Sequence, residues 1–113
     1  TEKFKLGIPS EPNLTWTSVT ASAPGSEEYR LSAIFKDTGP GSGDYGAEDS
    51  FSVSTERTAT ADDLAITADG EGVKGYNVAQ NNSRGLWFKF EAPSATIITT
   101  QQSITARVTA LAQ

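Results

Sequence analysis

At 113 residues the chain is long enough to bury one hydrophobic core without covalent staples, and it contains no Cys, His or Met. The missing His and Cys close the routes through a Ser–His–Asp triad, a thiolate nucleophile or an ordinary zinc site. A net charge of −5, with nine basic residues scattered singly, argues against a nucleic-acid partner, and no apolar run nears the roughly eighteen residues of a membrane span.

Thr, Ser, Ala and Gly hold the apolar fraction down to 36% while helix-building residues stay sparse, a mix that suits a Thr-rich sheet protein. The chain starts at Thr1, and no charged-then-apolar signal segment follows. Removal of an initiator Met and cleavage of a longer leader both fit that start. The second is the expectation, because domains of this composition are common outside the cell.

Residues 1–8 place Phe4, Leu6 and Ile8 on one face and Lys3, Lys5 and Gly7 on the other, a half-buried strand that Pro9 and Pro12 then stop. Residues 14–20 alternate Leu14, Trp16 and Ser18 against Thr15, Thr17 and Val19 as a second strand, and 23–26 read as a turn. Residues 29–36 form the most regular strand, with Tyr29, Leu31, Ala33 and Phe35 sharing a face. A Gly-rich loop over 37–46 follows, and Phe51 and Val53 mark a strand within 50–55. Residues 58–68 fit either a short helical turn capped by Thr60 or a strand through Leu64, Ile66 and Ala68; the strand is preferred. A turn over 69–75 leads into a strand beginning at Tyr76 and Val78, and polar residues 80–84 form a loop.

The most apolar stretch is 85–91. Leu86, Phe88 and Phe90 point one way and Trp87 and Lys89 the other. Large rings on both faces predict a strand in the interior of a sheet or between two sheets, with the rest organised around it. Ile97 and Ile98 fall in a Thr-rich segment. Residues 103–112 close the chain, with Ile104, Ala106, Val108, Ala110 and Ala112 on one face. The expectation is a single all-β domain over 1–113: seven to nine strands in an antiparallel two-sheet sandwich.

The spacing of Gly70, Gly72 and Gly75 matches a dinucleotide-binding pattern, but a strand rather than a helix follows it and Asp69 would repel phosphate. Those glycines read as turn residues needing positive φ. The acidic pairs Glu48–Asp49, Asp62–Asp63 and Asp69–Glu71 read as solvated turn carboxylates, because a glycosidase needs two facing across a sugar-sized cleft. No enzyme is expected, and no cofactor. Calcium is the one metal with a candidate site: Asp37, Asp44, Glu48 and Asp49 flank the Gly-rich loop and could offer hard oxygen ligands. Tyr45 and Trp87 are the candidate sugar-stacking rings. Asn13-Leu14-Thr15 and Asn81-Asn82-Ser83 fit the glycosylation acceptor pattern.

The segment Ile104-Thr105-Ala106-Arg107-Val108-Thr109-Ala110, with the aromatic strand 86–90 running to Ala92-Pro93, is similar to the closing strands of secreted bacterial immunoglobulin-like domains. That resemblance implies an immunoglobulin-like or jelly-roll-like sandwich at the cell surface or outside the cell. It also implies a pilus-like, surface-layer or adhesin module; the Cys, Trp and tyrosine-corner marks of antibody domains are missing as a set. The expected function is a self-assembling homo-oligomeric subunit of a filament, surface layer or coat. Phe4, Leu6 and Ile8 would be its connector, on a strand exchanged with a neighbour. The alternatives are a carbohydrate-binding module, with glycans as partners, and a virion or phage decoration protein.

Overall fold

The computed structural model describes residues 1–12 and 16–113. Its strands are β1 (Glu2–Gly7), β2 (Thr17–Ser18), β3 (Glu28–Phe35), β4 (Ser50–Phe51), β5 (Arg57–Thr58), β6 (Leu86–Glu91) and β7 (Arg107–Ala112). One sheet runs β5-β1-β7; in the other, β3 pairs with β2, β4 and β6. Three short 3-10 turns, at Ser42–Asp44, Ala47–Asp49 and Glu71–Val73, are the helical elements described.

The two sheets meet in one core. Leu6 and Ile8 from the first sheet and its extension lie with Tyr29, Leu31, Ala33, Phe35 and Phe51 from the second, closed by Ala59 and Leu64. The rings of Phe4 and Phe35 stack across the sheets, with centroids 5.5 Å apart. The alternation of β1 therefore reads as it should: Leu6 and Ile8 are buried, while Lys5 reaches out to Glu56 at 3.4 Å. β1 lies between β5 and β7, antiparallel to both.

β3 is the hub. Its Tyr29, Leu31, Ala33 and Phe35 face is buried, and so are Ser32 and Ile34 on the opposite face. The expectation that 85–91 forms the interior strand is corrected: among the described residues β6 has β3 as its one sheet neighbour and lies at an edge. Phe88 sits opposite Ala33 and Phe90 opposite Leu31, so both rings are on the core side. Yet on this outer strand Phe88 remains 46% and Phe90 48% exposed. Alternation reports which faces a strand has, not how many neighbours it has.

Other expectations change for local reasons. The sheet of β3 is mixed rather than antiparallel, since β2 runs parallel to it. Two left-handed residues, Ala21 at φ 72 and Glu27 at φ 60, let the link between β2 and β3 reverse twice. Of the expected strand over 14–20, Thr17–Ser18 is formed, and positions 13–15 lie outside the described residues, as does the Asn13-Leu14-Thr15 acceptor triplet. The strand expected through Leu64 is absent beyond Arg57–Thr58. Thr60 Oγ1 instead accepts from the amides of Asp62 and Asp63 at 3.2 and 2.9 Å, and Leu64 adopts φ 59. The strand expected at Tyr76 shrinks to a single bridge between Glu2 and Val78, next to left-handed Asn77. β4 stops at Phe51, leaving Val53 exposed.

The glycines of 70–75 are not there for positive φ, and at Gly75 the cause is packing. Among the described residues no glycine has positive φ. A Cβ on Gly75 would lie 2.5 Å from Phe35 Cε2 and 2.8 Å from Ala59 Cβ, so close packing demands glycine there. The neighbouring Lys74 is buried, its Nζ donating to Ala61 O at 2.9 Å and Thr67 O at 3.2 Å, which fastens the irregular 61–67 segment to the body.

Candidate functional site

The most unusual surface is the edge strand β6 and the loop folded against its outer face. Gly85 precedes the strand beside the end of β3: a Cβ there would collide with Lys36 O, which already accepts from Trp87 Nε1 at 2.9 Å. Trp87 thus lies along the start of the Gly-rich loop, with its benzo ring beside Gly39, and is 41% exposed. Lys89 Nζ donates to Ser42 O at 2.9 Å and stands 5.8 Å from the Tyr45 ring centroid, a cation–π distance. At the end of the strand Glu91 accepts from Arg30 Nε and Nη2 at 2.7 and 3.0 Å, and this two-pronged pairing holds the Glu91 carboxyl below its ordinary range.

The two proposed sugar-stacking residues, Tyr45 and Trp87, are therefore on one side of β6, flanking Lys89. Neither is a bare platform. The indole N–H of Trp87 is taken, and Tyr45 is half-buried, its phenol pushed up first by burial and then by Asp49 and Asp44.

On the core side, Leu86 packs inward and Phe90 stacks with Tyr29 and Trp16 at centroid distances of 6.1 and 6.5 Å. The other outer strand repeats the pattern. Val108 of β7 lies opposite Leu6, on the core side, yet is 48% exposed. Both sheets therefore end in a six-residue strand with apolar side chains left partly uncovered. Ile97, in the link between these strands, is 93% exposed. The assembly residues expected at the N-terminus are placed differently: β1 is paired on both sides within its own chain, Leu6 and Ile8 are buried, and Phe4 is partly buried.

The acidic loop residues do not converge. Asp44 caps its turn by accepting from Gly41 N at 2.8 Å, Asp37 and Glu48 are exposed, and Asp49 is fully buried. Among the described residues no group of three or more acidic side chains is placed to hold a metal ion, and no helix is long and apolar enough to cross a membrane. The Asn81-Asn82-Ser83 triplet lies on an exposed turn, with Asn81 left-handed.

Sequence reasoning missed two polar anchors, Asp49, which is buried, and Glu11, which is partly buried. Asp49 Oδ2 accepts from Gly46 N at 2.8 Å and Oδ1 from Ala65 N at 3.1 Å, tying the Gly-rich loop to the 64–65 turn. Glu11 accepts from Tyr29 Oη at 3.1 Å and from Ser18 N at 2.7 Å, fastening the chain before β2 to β3. An acidic residue three positions after Gly46 was the available signal, since a carboxylate there can reach back to the amide of the residue that opens the turn.

Burial raises the Asp49 carboxyl from 3.8 to about 6, partly offset by the backbone donors of Gly46, Ala65 and Leu64. Between those values the folded chain keeps a proton that the unfolded chain has lost. Stability from this group is full below pH 4 and is lost as pH rises through 6. Urea unfolding should therefore show the protein weaker at pH 7 than at pH 4.5 by about 2 kcal/mol from this residue, at 1.36 kcal/mol per pKa unit. Asp49→Asn should remove that slope. An unchanged slope in the variant would mean that Asp49 titrates normally.

Comparisons with protein-family models, curated proteins and solved structures find no match to this chain.

Proposed function

We propose that this chain is a self-associating structural subunit of an extracellular filament, surface layer or coat. The observation that carries the reading is the pair of outer strands, β6 and β7. Among the described residues each has one sheet neighbour, and each leaves core-side apolar residues partly exposed. Unpaired strand edges with apolar side chains invite another strand, and proteins that stay monomeric usually blunt them with Pro, bulges or inward charges. Here the core-side row of β6 is Leu86, Phe88 and Phe90, with no charge among them. The open edges support association better than exchange of β1 does, because β1 is paired on both sides and its inward residues belong to its own core.

Sedimentation equilibrium over a wide concentration range tests the reading, with negative-stain images of the upper end. The expected result is an average mass above 11.9 kDa that rises with concentration. A single-chain mass at every concentration would remove the structural-subunit reading.

A further inference from the structure

We propose that the outer edge of β6 receives the β6 strand of a second copy of this chain, the two pairing antiparallel about Phe88. This rests on the self-association proposed above and names the surface and register that bring it about.

The backbone shows which groups are free. Lys36 donates its amide to Gly85 O at 3.0 Å, so Gly85 turns its carbonyl toward the β3 side. Outward and inward residues alternate along an antiparallel ladder, which leaves the N–H and C=O groups of Leu86, Phe88 and Phe90 on the open side. Among the described residues, the backbone of Leu86–Glu91 makes no hydrogen bond except to β3. Lys89, the residue best able to guard this edge, is drawn away to Ser42 O and the Tyr45 ring.

Charge and strand length select the register. A two-fold axis perpendicular to the sheet keeps Leu86, Phe88 and Phe90 on one face and can pass through Trp87, Phe88, Lys89 or Phe90; centring on Trp87 leaves Lys89, Phe90 and Glu91 opposite residues before Leu86, where the strand has not begun. Centring on Lys89 sets two ammonium groups opposite each other, which is destabilising. Centring on Phe90 leaves Leu86, Trp87 and Phe88 opposite residues beyond Glu91, where the strand has ended. Centring on Phe88 pairs Leu86 with Phe90, Phe88 with itself and Trp87 with Lys89. That register gives continuous apolar contact on the core side and sets no like charges opposite each other.

The half-exposed rings of Trp87, Phe88 and Phe90 leave roughly 80–100 Å² each, taking about 200 Å² for a whole aromatic side chain. Their sum falls below the roughly 800 Å² per partner of a standard interface, so the contact is weak and concentration-dependent.

The absence of Cys from the chain makes the test clean. Phe88→Cys places two thiols at a hydrogen-bonded pair position, where Cα atoms are about 5.5 Å apart, within the range a disulfide spans. Mild oxidation should give disulfide dimer at least tenfold above Lys89→Cys and Phe90→Cys, each of which would report a rival register. Phe88→Asp, at a half-exposed position, should keep the wild-type circular dichroism spectrum and lose association in sedimentation.

Equal cross-linking at the three positions, or dominance of Lys89→Cys or Phe90→Cys, overturns the register. Association of wild type that survives in Phe88→Asp overturns this edge as the contact while leaving the structural-subunit reading in place. A wild-type chain that stays monomeric overturns both.

Discussion

Replacing Leu6 by Asp is expected to abolish cooperative folding at neutral pH. Leu6 is fully buried on β1, flanked by β5 and β7 and packed into the shared core. Loss of a buried Leu side chain costs about 2–5 kcal/mol, and a buried carboxylate without a partner adds several more. The sum reaches the whole stability of an ordinary domain, about 5–15 kcal/mol. The measurement is thermal unfolding by circular dichroism, with wild type as reference. A folded monomer that no longer associates would show instead that β1 leaves its own sheet to complete a neighbour's. That outcome would restore strand exchange through Phe4, Leu6 and Ile8.

Phe51→Ala is expected to cost about 3–5 kcal/mol in urea unfolding, against about 1–1.5 kcal/mol for Phe88→Ala. Both residues are phenylalanines on strands that pair with β3. Phe51 opposes Leu31 and is fully buried; Phe88 opposes Ala33 and is half in solvent. The difference tests directly which strand is structural and which is held open. Should both substitutions cost the same large amount, β6 is covered in the folded protein and the exposed-edge reading fails. Measurement at low protein concentration separates the loss of folding stability from the loss of association.

Much of the architecture is legible from residue types. The alternation of Tyr29, Leu31, Ala33 and Phe35, and of Leu6 and Ile8, assigns their inward faces, because a period of two leaves little other way to bury them. The parity of 104–112 is right for the same reason: Val108 and Ala110 share a face with Leu6 and Phe4 across the ladder.

Neighbours, by contrast, are a tertiary matter. Nothing in Leu86 to Phe90 distinguishes an edge from a centre, since both demand the same alternation; the pairing of β3 with β2 and β4 on its remaining edge decides it. The parallel run of β2 depends on two left-handed turns at Ala21 and Glu27, residues with no strong preference for that geometry. The polar anchors are equally hidden. Asp49, Glu11 and Lys74 look like solvated surface residues in the sequence, and they become structural when the fold brings backbone donors and acceptors from distant segments around them. Sequence determines which side chains must leave water. The tertiary structure decides which of them find cover, and on β6 and β7 the folded chain supplies cover on only part of each apolar row.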